Sequence, residues 1–149
     1  MSAGLHLATM EQAERCLSLA KSYHAEIGAN FDAEQRAAAM EPLLAGSPLG
    51  AIWIIGPARA PLGYVLVTFT WSPDAAGIVG WVRELYVRDN VRRRGIATTA
   101  LGDLARALRS GGIKALHVNV TDLTEDQCRL WHRARFAAQS THSILTGTL

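Results

Sequence analysis

The spacing of apolar side chains changes character along the chain. Ala13, Cys16, Leu17, Ala20, Tyr23, His24 and Ile27 recur at three- and four-residue intervals, the signature of one helix face. Thr9-Met-Glu-Gln12 stands just before them with capping-box spacing, a hydroxyl for one orphan amide and a Gln able to reach back. Gly28-Ala-Asn30 ends this predicted helix. Asp32 with Gln35 restarts a second one through residues 37–40, which Pro42 is expected to cut or kink before Gly46-Ser-Pro48.

The texture then shifts to β-branched and aromatic runs. Residues 51–55 and 62–71 read as strands joined by the hairpin-like Gly56-Pro-Ala-Arg-Ala-Pro61, and residues 78–87 follow as a third after Ser72-Pro-Asp-Ala-Ala-Gly77. Ala97, Leu101, Leu104 and Leu108 mark one face of a helix that ends at Gly111-Gly112. Residues 114–121 read as a strand. Thr124-Glu-Asp-Gln127 is a second capping box and opens a helix to about Arg135, and residues 140–149 are expected to form a closing edge strand. The predicted order is αα-βββ-α-β-α-β, with no repeats, linkers or low-complexity tracts. This describes one α/β domain over residues 1–149, a mixed central sheet flanked by helices.

Composition narrows the partners. Fifteen basic against thirteen acidic residues leave a formal net charge of +2, too balanced for a chain that coats nucleic acid. No segment approaches the roughly 20 apolar residues of a membrane-spanning helix, so no membrane partner is expected. The start of the chain, MSAGLHLATMEQ, lacks a basic region followed by an apolar core. Cys16 and Cys128 lie far apart and suggest no disulfide framework; a cytoplasmic setting fits.

Against that balance, the run Arg92-Arg-Arg-Gly95 is a local anomaly. Like charges repel, and a helix N-terminus already carries partial positive charge. A strand, a turn with Gly95 and a helix starting near Ile96 aim several amides in one direction, which together with the helix dipole and the guanidiniums forms a site for an anion. Gly95 lets such an anion approach where a Cβ would block it. A phosphate or pyrophosphate fits; a solvated basic turn is the plainer alternative. Neither GxxxxGK[ST] nor GxGxxG occurs in the chain.

Arg92-Arg-Arg-Gly95-Ile-Ala97 resembles the (Gln/Arg)-x-x-Gly-x-(Gly/Ala) motif of the GNAT superfamily of N-acetyltransferases, and Glu84-Leu-Tyr-Val87 is similar to the strand end that precedes it there. The element order also resembles that fold over nearly the whole chain. The resemblance implies acetyl-CoA as cosubstrate, with its pyrophosphate on Arg92, Arg93, Arg94, Gly95, Ile96 and Ala97, and with Thr98 also in the cofactor site. It further implies that Leu85, Tyr86 and Val87 line the pantetheine arm through their backbone, in a gap where this strand parts from the next.

Acetyl transfer to an amine requires that the amine lose a proton, because an alkylammonium has a pKa near 10.4. Glu84 is the candidate base, since it lies on the strand beside the implied acetyl site; an ion pair with Arg83 or Arg88 is the competing role. An oxyanion donor is implied at the amide of Tyr86 or Val87. The superfamily commonly places a tyrosine on the last helix as the acid, and here Trp131 stands in its place, with Thr124 for the usual Asn, Arg135 for the usual Gly, and Asn119 where a Glu is frequent. An indole N–H is too weak an acid for that task. The reading is therefore an acetyl-CoA-dependent N-acetyltransferase acting on a primary amine of a small molecule, peptide or protein. A GNAT-fold module that binds CoA without transfer is the alternative.

Other constellations carry less. Cys128 and His132 share a helix face, but with no third ligand or orienting carboxylate no metal site is expected. Trp71 and Trp81 are candidates for the wall of an acceptor pocket or for sheet packing. Tyr23, His24, Asn30, Phe31 and Asp32 are candidate acceptor contacts or helix-packing residues. No motif encodes the oligomeric state; a homodimer is compatible with the pattern.

Overall fold

The computed structural model describes residues 4–120, 123–139 and 144–149. A five-stranded sheet forms the middle layer, in the spatial order β1 (Leu5–Leu7), β2 (Gly50–Ile55), β3 (Gly63–Ser72), β4 (Gly77–Val87), β5 (Leu116–Val118). The first four strands pair antiparallel, and β5 runs parallel to β4 after a crossover through a helix. The helices are α1 (Ala13–Glu26), α2 (Ala33–Leu44), α3 (Ile96–Ser110) and α4 (Glu125–Arg133).

Alternation along the strands sorts the core into two layers. Ile52, Ile54, Tyr64, Leu66 and Tyr86 meet Cys16, Leu19, Ala20, Met40 and Leu44 of α1 and α2 on one face. Val65, Val67 and Val82 meet Leu101, Leu104 and Leu108 of α3 on the other, with Leu130 and Trp131 of α4 against them. Each large apolar side chain enclosed this way, such as Leu19 or Leu104, contributes about 1.5–3 kcal/mol.

Local chemistry sets the ends. Thr9 with Gln12, Asp32 with Gln35 and Thr124 with Gln127 all close as reciprocal capping boxes. Pro42 lies inside α2, which continues to Leu44 before stopping. A proline one turn from the end removes a single ladder bond, and the Ala45 amide still reaches the Glu41 carbonyl at 2.8 Å. β1 is an element the apolar pattern did not announce. Its three residues pair with β2, Leu5 opposite Ile55, and too short a segment carries no readable period. Of the strand expected over 114–121, residue 121 lies outside the described residues, and the assigned strand is Leu116–Val118. Of the closing strand expected over 140–149, residues 140–143 lie outside the described residues, and 144–149 have no strand assignment.

Two irregularities in β4 position the site. Leu66 pairs with Glu84 while its neighbour Val67 pairs with Val82, so Arg83 is an extra residue, a β-bulge. On the other edge, β5 pairs with β4 only from Gly80 to Val82. β4 runs on to Val87 with β3 beside it, so from the bulge onward its second edge has no strand partner among the described residues.

Candidate active site

The open edge of β4 has a defined polarity. The Arg88 amide donates to the Leu62 carbonyl at 2.8 Å, and alternation along an antiparallel pair then directs residues 86 and 84 toward β3. The amides of Leu85 and Val87 consequently face the unpaired edge. Of the two amides named for an oxyanion, Val87 is the one turned to the gap. The side chains of Leu85 and Val87 pack on the α3 face, whereas Tyr86 and Glu84 lie on the α1–α2 face.

The arginine turn follows directly. Arg93 has φ 64° and Gly95 φ 76°, a left-handed pair that brackets Arg94. Gly95 is the N-cap of α3, supplies no side-chain cap, and no acidic residue lies in the first turn. Elsewhere Thr9, Asp32 and Thr124 close helix starts with their own side chains; at α3 no side chain among the described residues caps the first-turn amides. A Cβ at Gly95 would meet no protein atom within 4 Å, so a side chain there would stand in open space. Ile96 and Ala97 pack inward beside Val87, while Thr98 lies half-buried in the same first turn.

The three guanidiniums are not equivalent. Arg92 turns back, donating from Nε to the Val87 carbonyl at 2.7 Å and from Nη2 to Glu26 at 2.6 Å, with its charge 5.5 Å from the Tyr86 ring centre. The Glu26 hydrogen bond raises its pKa further. Arg92 thus ties the end of β4 to α1. Arg93 is exposed and pairs with Asp126 of α4 at 3.2 Å.

Glu84 has no arginine partner. Arg83 donates instead to Thr68 at 2.9 Å and Arg88 to the Pro61 carbonyl at 2.8 Å. The carboxylate accepts from the Tyr64 hydroxyl at Oε1, 2.7 Å, and lies 2.7 Å from His24 Nε2 at Oε2. Arg36 Nε donates to His24 Nδ1 at 3.3 Å, and its Nη2 to the Phe31 carbonyl at 2.9 Å. Tyr64 is fully buried, and burial first, then the Glu84 carboxylate, pushes its phenol far above the usual range, so it stays a donor. Beside Glu84 is a cavity of about 100 Å³ lined by His24, Phe31, Arg36, Met40 and Leu66 among others.

Several expectations resolve here. His24 and Phe31 line this cavity, the rings 4.9 Å apart. Tyr23 packs edge-on against Tyr64 and Tyr86. Asp32 is spent on capping α2. Neither Trp71 nor Trp81 walls the cavity: Trp71 is exposed, and Trp81 lies on His117 and under Arg83. Trp131 packs against the α3 layer with its ring 5.1 Å from Phe136. Cys128 is exposed, not buried beside His132.

Tyr64 and Arg36 are the participants that the sequence reading did not name. Arg36 had a legible signal: it stands at i with Met40 and Leu44 at i+4 and i+8, an arginine on the buried stripe of α2. Tyr64 had none, because a tyrosine in a strand is ordinary core.

The bulged strand of the mixed sheet thus brings a helix start without a side-chain cap and a hydrogen-bonded carboxylate close together. Residues 14–136 match the model of the acetyltransferase (GNAT) family, and the chain belongs to that family. Among curated proteins, none matches the sequence. Solved structures of the same fold include an integron cassette protein from the mobile metagenome of Cole Harbour Salt Marsh, 25% identical, with 97% of this chain and 90% of that one covered at a TM-score of 0.84. A ribosomal-protein-alanine N-acetyltransferase from Brucella melitensis biovar Abortus 2308 is 21% identical over 97% and 98% of the two chains, TM-score 0.78. A predicted acetyltransferase from Clostridium acetobutylicum, solved with acetyl-CoA, is 17% identical over 96% and 95%, TM-score 0.77. No helix among the described residues is long and apolar enough to cross a membrane.

Proposed function

We propose that this chain is an N-acetyltransferase that moves an acetyl group from acetyl-CoA directly to a primary amine of a small molecule, peptide or protein. The observation that carries this is Glu84: a carboxylate with no arginine partner, held between two donors next to an open strand edge and facing a small cavity. The donor's features find counterparts in the chain. The uncapped amides from Gly95 through Thr98, with Arg93 and Arg94, receive the pyrophosphate. The unpaired edge at Leu85 and Val87 receives the pantetheine arm as a strand would, and the Val87 amide stands ready for the oxyanion. Arg92 shapes this site by fixing the Val87 carbonyl rather than by meeting phosphate, and the Tyr86 ring supports it.

In the reaction the amine nitrogen bonds to the acetyl carbon, the carbon–sulfur bond breaks, and the amine's proton passes to Glu84 directly or through one water. CoA departs as the thiolate and takes a proton from solvent, since an indole at Trp131 is too weak an acid to offer one. A thiol has a pKa near 8.5, so the thiolate is a tolerable leaving group without a dedicated acid.

Free-thiol release from acetyl-CoA against a panel of amines and peptides tests the reading. Glu84→Gln keeps the shape, and turnover should fall about 10²–10⁴-fold with acetyl-CoA affinity retained. Trp131 at the tyrosine position favours a second reading, a module that binds CoA without transfer; tight CoA binding with no thiol release across the panel supports that reading and overturns the first.

A further inference from the structure

The cluster behind Glu84 holds more information than a base needs. Arg36 is 8% exposed and His24 4%, yet among the described residues no carboxylate bonds to or pairs with the guanidinium. A buried cation without a direct counter-ion is costly unless something relays a negative charge to it. Here the relay is an imidazole ring, with Arg36 at one nitrogen and Glu84 at the other.

Hydrogen-bond chemistry then decides the ring's protonation. A guanidinium has only donors and does not lose its proton. The nitrogen it faces, Nδ1, must therefore present a lone pair, and a neutral imidazole has just one. The hydrogen sits on Nε2 and points at Oε2 of Glu84, 2.7 Å away. Tyr64 donates to Oε1 from the other side at 2.7 Å. Held at both oxygens, the carboxylate cannot swing, and its remaining lone pairs point in one direction.

We infer that His24 and Arg36 are positioning residues for the base: Arg36 locks His24 in the Nε2–H form, and His24 in turn locks the Glu84 carboxylate in the orientation that receives the amine's proton. A second consequence separates this from a proton relay. A proton on Glu84 has no onward path through His24, because Nδ1 faces a group that cannot accept one. The proton leaves through the exposed side of Glu84, whose side chain is 20% accessible. The same bonds link α2 through α1 to β4, tying the helices that border the cavity to the base.

The inference rests on Glu84 being the proton acceptor of the proposed transfer, and the test keeps the two apart. Nitrogen-15 NMR of the His24 ring in the unaltered protein at neutral pH should show a protonated Nε2 and a bare Nδ1; the opposite tautomer, or a doubly protonated ring, overturns the lock. His24→Phe should lower kcat about 10- to 100-fold, the cost of a misplaced catalytic group, with KM for acetyl-CoA unchanged. His24→Gln, whose amide can accept from Arg36 and donate to Glu84 at once, should restore most of that loss. Arg36→Met should lower kcat likewise and leave Nδ1 protonated in part, whereas Arg36→Lys, which keeps a donor-only cation at this position, should retain the Nε2–H form; a Lys variant with the opposite tautomer overturns the lock. A folded His24→Phe protein with full kcat, beside an impaired Glu84→Gln protein, overturns the positioning role alone. Full activity in Glu84→Gln overturns the base and the positioning role together.

Discussion

Gly95→Ala separates strain from binding in a way the geometry makes quantitative. Gly95 has φ 76°, and a Cβ there meets no protein atom within 4 Å. Alanine therefore suffers no clash, only the left-handed backbone, at about 1–2 kcal/mol. For a chain this size that lowers Tm by about 2–8 °C. Gly28 (φ 73°) and Gly112 (φ 88°) share both properties, a left-handed backbone and nothing within 4 Å, yet follow the ends of α1 and α3 away from the proposed phosphate site. Their alanine variants should lose the same stability. Only at Gly95 does the methyl occupy space reserved for an anion against first-turn amides. Losing one charge-assisted hydrogen bond costs about 1.5–3 kcal/mol, which is about a 10- to 150-fold rise in Kd. Calorimetric titration of acetyl-CoA into the three variants, each checked by thermal melting, reads both quantities. Three equal melting shifts with wild-type acetyl-CoA affinity for Gly95→Ala would refute the placement of the phosphate site.

Tyr64→Phe removes one of the two donors on Glu84 inside the core, and should lower stability by about 1.5–3 kcal/mol in urea melts while reducing kcat more than it alters KM for acetyl-CoA. Alkaline stability follows from two buried acids. Burial raises Cys16 from 9.0 to about 11, and Tyr64 is raised further by burial and Glu84, so the folded state keeps protons that the unfolded chain releases. The unfolded state then binds fewer protons, stability is fully present below pH 9 and falls as pH climbs toward 11, and Cys16→Ala should flatten the first part of that decline in chemical melts. A thiol reagent should modify the exposed Cys128 in the native protein and reach Cys16 only on unfolding. Trp131→Tyr trims a half-buried ring that packs against Phe136, so it should cost about 1–2 kcal/mol by melting and leave thiol release equal or faster.

What the sequence determined by itself was everything carried by short-range pattern. The capping pairs Thr9–Gln12, Asp32–Gln35 and Thr124–Gln127 are local hydrogen bonds between residues three apart, and each formed as its spacing required. The stripe Leu101, Leu104, Leu108 and the glycine pair after it bounded α3. The arginine–glycine turn was legible because its oddity is local, a helix start with no cap and no acid. Tertiary structure decided what depends on residues far apart. Glu84 lies 60 positions from His24 and 20 from Tyr64, so no spacing could name these two partners in place of the arginines of its competing role. The position of the Arg92 side chain likewise turned on Glu26, 66 positions away, which draws the guanidinium back toward α1. The bulge at Arg83 and the early end of the β5 pairing arise from strand register, a property of the hydrogen bonds between two strands rather than of either run of side chains. Period and capping act within a few residues, whereas the environment of a carboxylate is made by whichever strands and helices the whole fold brings against it.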